Sequence, residues 1–98
     1  MKDSENRAFR AELDGTITPI EWKIIKEEMK KENILVIYCS AEKSIYYWIG
    51  SEAQFTVKRN IANISNQLNE KAPDLRILRR NTVNQGKEPN NFMQLIES

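Results

Sequence analysis

The run ILVIYC at residues 34–39 leaves the fewest options for the fold of this chain. A strand with one solvated face alternates apolar and polar residues, because successive side chains point to opposite sides of the sheet. This run does not alternate, so both of its faces must be covered. It belongs at the centre of a sheet with helices packed on both sides. A second β-branched and aromatic run, IYYWI at 45–49, follows after the charged link SAEKS, and an antiparallel hairpin is the economical pairing. Gly50 ends the second strand and lets the chain turn into the next segment.

That segment, Ser51 to Asn69, reads as a long helix. At 100° per residue, Val57, Ile61, Ile64 and Leu68 form a stripe about 60° wide that must be buried. Ser51 and Gln54 have the spacing of a capping box, with Glu52 favouring the positive end of the helix. Asn69 tolerates a left-handed conformation and Pro73 cannot continue a helix, which sets the end. Opposite the stripe lie Phe55, Arg59, Ala62 and Asn66, flanked by Lys58 and Asn63, with no acidic residue from Gln54 to Asn69. Either Phe55 folds under the first turn and this face is solvated, or the face binds a partner.

The remaining elements follow from shorter patterns. Residues 1–6 are polar and expected to fray. RAFRAEL at 7–13 alternates as a half-buried strand, and Asp14-Gly15 reads as a turn. Thr18-Pro19-Ile20-Glu21 resembles a capping box with proline at the first helical position, predicting a helix to about Lys31. Trp22, Ile25 and Met29 share one face of it, but Ile20 and Ile24 fall opposite. Either two sides are covered or the first turn is not helical. DLRILR at 74–79 is expected to return as a strand parallel to the one before the long helix, NTVNQGK at 81–87 reads as a loop, and Glu88-Pro89 opens a short helix bearing Phe92, Leu95 and Ile96. The fold class is α/β (α+β), a mixed sheet between a long helix and shorter ones, expected as one domain over 1–98.

Composition removes whole classes of function. The chain has no histidine and one cysteine, Cys39, which excludes histidine-based catalysis, ordinary Cys/His zinc sites and internal disulfides. Cys39 lies in an apolar run without a neighbouring base and reads as an inert core thiol rather than an enzyme nucleophile. With 15 basic and 14 acidic residues, the net charge of +1 gives no general attraction to nucleic acid. A local stripe of Lys58, Arg59, Arg76, Arg79, Arg80 and Lys87 near Tyr46 and Phe55 is the alternative nucleic-acid reading. A scaffold or dimerisation module using Ile20 and Ile24 is another. No apolar run is long enough to span a membrane and MKDSENR lacks the apolar core of a signal peptide, so a cytoplasmic protein, monomeric when free, is expected.

Several of these pieces, taken in order, resemble the gelsolin-homology domain family of actin regulators. They are the apolar strand Ile34 to Tyr38, then Tyr47-Trp48-Ile49-Gly50, similar to the family's aromatic-Trp-x-Gly strand end, with the long helix directly afterward. Leu75-Arg76-Ile77-Leu78 and Gly86-Lys87-Glu88-Pro89 followed by Phe92 match the family's next strand and its Gly-x-Glu-Pro-x-x-Phe ending. The resemblance spans Ile34 to Ile96. Before it, RAFRAEL and a charged segment stand where the family usually has a strand with a Trp-x-x-Glu pattern. The resemblance implies a non-enzymatic, cytoskeletal actin-binding protein whose long helix enters the cleft between two actin subdomains and regulates monomer availability or filament assembly. Carried over, the actin-binding face is Phe55, Lys58, Arg59, Ala62, Asn63 and Asn66. Many members also hold calcium through an Asp before the second strand and a Glu early in the long helix. Asn33 and Val57 occupy those positions here, so no metal or other cofactor is expected unless the partner completes the calcium site.

Overall fold

In the computed structural model residues 6–12, 16–75 and 77–97 are described, with only the backbone described for 54–61. Five strands form one sheet: β1 (Arg7–Ala11), β2 (Ile17–Ile20), β3 (Ile34–Cys39), β4 (Ser44–Ile49) and β5 (Arg79–Asn84). They lie in the order β2-β1-β3-β4-β5, with every pair antiparallel except β4 and β5. The helices are α1 (Ile25–Glu28), preceded by a 3-10 turn at Trp22–Ile24, the long α2 (Gln54–Lys71) and α3 (Asn90–Glu97).

The non-alternating strand is central, and every residue of β3 and β4 is buried. Its two faces feed two separate cores. Ile34, Val36 and Tyr38 pack with Phe9, Ile45, Tyr47 and Ile49 against Ile64 and Leu68 of α2. Leu35, Ile37 and Cys39 pack with Tyr46 and Trp48 against Ile25 of α1 and Phe92 and Ile96 of α3. No helix among the described residues is long and apolar enough to cross a membrane.

The structure corrects four local readings. The helix expected from Thr18 is a strand, since Ile17–Ile20 pairs along β1 with Ala8 opposite Ile20, and helix begins only after Glu21. Pro19 is tolerated because β2 is an edge strand, where an absent N–H breaks no ladder. Ile20 packs on the second core, which removes it from the self-interface considered above. The returning strand is β5 at 79–84 rather than 74–79, so four of the seven residues of the expected loop are strand. Leu75 and Ile77 still pack on the first core, from an irregular segment. The long helix starts at Gln54 rather than Ser51, with Ala53 as its N-cap and no side-chain cap bond. Ser51 lies in the preceding turn, where its N–H donates to Gln85 Oε1 at 2.8 Å.

Of the segment expected to fray, Asn6 accepts a hydrogen bond from the Ser40 N–H at 3.0 Å, and residues 1–5 lie outside the described residues. So do Asp14-Gly15 and Arg76.

Candidate functional site

The outward face of α2 is built by fixing the helix to the sheet at both ends. At its start, the loop after α1 is laced to the end of β4: Gly50 N–H donates to Asn33 O at 2.9 Å and Glu52 N–H to Lys31 O at 2.8 Å. Lys31 and Glu52 add an exposed ion pair at 3.4 Å. Farther along, Ile64 and Leu68 are each 1% exposed in the first core, and the Ser65 and Tyr47 hydroxyls are hydrogen bonded at 2.8 Å. At the last turn Lys71 Nζ donates to Ile17 O at 2.9 Å, tying the helix to β2.

With Ile64 and Leu68 turned inward, Ala62, Asn63 and Asn66 are exposed. A small side chain and two neutral amides leave a low, polar surface that another backbone can approach closely. The side chains of Phe55, Lys58 and Arg59, and of Val57 and Ile61 in the stripe expected to be buried, lie outside those described. Their backbone belongs to the same helix.

The two sequence signatures on either side of α2 meet in space. Trp48 of β4, 1% exposed, donates its indole N–H to Glu88 Oε2 at 2.9 Å, and the Gly86 N–H donates to Glu88 Oε1 at 3.1 Å. Gly86 has φ +87°, the left-handed region in which glycine is unstrained. The Gly-x-Glu-Pro segment therefore caps the Trp strand end, joining two motifs that stand apart in the sequence. Burial pushes the Glu88 carboxyl up, but hydrogen bonds from Trp48 and from the Glu88 and Gly86 backbone outweigh it and leave the pKa lowered. A carboxyl with a lowered folded pKa adds stability above its unfolded value, about 4.3, and loses it as pH falls through the folded value. Glu88→Gln keeps an acceptor for Trp48 but cannot ionise. It is expected to cost about 1 kcal/mol at pH 7 and to flatten the acid limb of a stability–pH curve followed by urea unfolding.

The calcium positions that the resemblance implies are 33 and 57. Asn33 is a neutral amide whose Nδ2 donates to Glu28 O at 2.9 Å, and valine at 57 has no side-chain oxygen. Among the described residues no group of three or more His, Cys, Asp or Glu could hold a metal ion. The basic stripe is only partly described: Arg79, Arg80 and Lys87 are exposed. Tyr46 is 4% exposed with its ring 5.4 Å from that of Phe92, so it offers no face on which a base could stack.

A five-stranded mixed sheet with one long helix on one face and short helices on the other defines a small α+β domain. It is the fold of Thorarchaeota ProGel, solved in complex with rabbit actin, with TM-score 0.74 and 25% identity over 94% of this chain and 99% of that one. Thorarchaeota 2DGel3, also solved with rabbit actin, shares the fold with TM-score 0.62 and 18% identity. There the match covers 96% of this chain and 46% of the other, so this chain spans about half the length of 2DGel3. No protein-family profile and no curated protein matches the sequence. The chain therefore has the gelsolin-like fold that these two actin-complexed domains share.

Proposed function

We propose that this domain binds actin through the outward face of α2, with Phe55, Lys58, Arg59, Ala62, Asn63 and Asn66 as the contact set, and so regulates monomer availability or filament assembly. The observation that carries the reading is end-to-end similarity to ProGel, a protein of nearly this length that was solved with actin. The described part of the face suits a buried contact, being small, polar and free of carboxylates at 62, 63 and 66. Binding rather than enzymatic chemistry is the role, and it proceeds without calcium, since Asn33 and Val57 supply no adequate ligands.

The test is actin assembly followed by fluorescence, together with co-sedimentation, in calcium and in chelator and at two salt concentrations. A concentration-dependent change in assembly that is the same in both divalent conditions is the expected result. An absence of any effect on actin removes the reading. An effect seen only with calcium would instead mean that the partner completes the metal site.

A further inference from the structure

The sheet has two edges, and they are treated differently. β2 is four residues long with Pro19 inside it, a short edge that resists further pairing. β5 is six residues long, contains no proline or glycine, and pairs with β4 alone among the described strands, so its outward N–H and C=O groups join no ladder. Its alternate residues Arg80, Thr82 and Asn84 are exposed on one face. Arg79, Asn81, Thr82 and Val83 border an open cleft of about 440 Å³ that Glu42, Tyr46 and Asn91 also line.

Two cations at this edge are free to pair. Arg79 and Arg80 are exposed and make no ion pair among the described residues. The two neighbouring carboxylates keep their charge but are turned to other partners than the arginines. Glu42 Oε1 accepts from the Tyr46 hydroxyl at 2.8 Å and the Ser44 hydroxyl at 3.1 Å, and Glu88 holds Trp48 and Gly86. Burial and the bond to Glu42 push the Tyr46 hydroxyl up, so it stays a donor to that carboxylate. Leu78, 68% exposed, precedes the two arginines and adds an apolar contact at the start of the strand.

We infer that β5 and the cleft beside it form a docking edge for an extended acidic peptide segment of another protein, which adds a sixth strand and sets carboxylates against Arg79 and Arg80. Main-chain bonds to β5 supply affinity, and alternate side chains reaching the cleft supply selectivity. A peptide suits the edge better than nucleic acid, because the unused groups are backbone donors and acceptors and the cleft's aromatic ring is buried. This site uses a sheet edge, and other residues than the proposed actin face on α2, so the two are separable.

The probe is a fluorescein-labelled octapeptide alternating valine and glutamate, titrated against the full chain and read by anisotropy. It is compared with its lysine counterpart and with the same acidic peptide N-methylated at alternate amides. The acidic peptide is expected to bind at least tenfold more tightly than either. It should also slow amide hydrogen exchange within 79–84. Arg79→Gln with Arg80→Gln, both at exposed positions, should weaken it at least tenfold with unchanged circular dichroism, while Ala62→Arg leaves it unaltered. Equal binding of the N-methylated peptide, or no binding of any peptide, overturns the proposal. So does a peptide-independent dimer in sedimentation velocity, which would put a second copy on β5, or displacement of the peptide by oligothymidylate at equal concentration.

Discussion

Ala62→Arg is expected to leave the fold intact and to weaken the proposed actin interaction at least 100-fold. Ala62 is exposed on the helix turn that buries Ile64, and a longer side chain there meets only solvent in the free protein. Its effect on unfolding free energy should be about 0.5 kcal/mol or less. In a packed cleft the same guanidinium must either be desolvated without a partner or force the helix outward. Either route costs about 3 kcal/mol or more of affinity. The matched control is Ile64→Ala, which removes a side chain 1% exposed in the first core and should cost roughly 2 to 5 kcal/mol of stability through the cavity it leaves. Urea unfolding and actin co-sedimentation on both variants separate the two effects. If Ala62→Arg folds normally and still acts on actin as the parent does, the interaction runs through another surface of the domain.

This pair of variants also shows why the faces of α2 were legible in the sequence while its start was not. Helical periodicity decides which residues turn inward, and Ile64 and Leu68 are buried as the stripe requires. The first turn depends on what the preceding chain touches. Ser51 has capping-box spacing, yet its backbone is drawn to Gln85, 34 residues away in sequence, and the helix begins three residues later. Non-local pairing likewise overrides local pattern at Thr18-Pro19, where β1 recruits a strand from a segment that reads as a helix start. β3 and β4 were legible because burial on both faces writes a continuous apolar run into the sequence. β5 was not, since an edge strand needs only one buried residue, Val83, and its register is fixed by parallel pairing to β4 rather than by its own composition. Of the proposed actin face, periodicity supplied the positions, but nothing in a single helix says what covers them.

Gly50→Ala is expected to be the most damaging single-methyl change in the chain. The sequence suggests a glycine placed there for turning, but among the described glycines only Gly86 has a positive φ. What Gly50 provides is close approach. A Cβ at this position would overlap the backbone carbonyl of Lys31 and lie 2.6 Å from that of Lys30. Backbone cannot swing aside as a flexible side chain does, and this stretch is held by the bonds from Gly50 to Asn33 and from Glu52 to Lys31. Relief requires separating the loop after α1 from the strand end, which stretches those bonds and shifts the start of α2. The expected cost is about 3 kcal/mol or more, at the upper end for overpacked sites. Gly86→Ala is the comparison, because nothing lies within 4 Å of a Cβ there and only the left-handed φ is penalised, by about 1 to 2 kcal/mol. Urea unfolding should rank Gly50→Ala well below Gly86→Ala in stability. Because Gly50 sets where α2 begins, whatever Gly50→Ala protein remains folded should also be impaired in the proposed actin interaction, whereas folded Gly86→Ala should not. Equal stability losses for the two variants would mean that the loop after α1 yields without cost, and that α2 is positioned by Ile64, Leu68 and the Ser65–Tyr47 bond alone.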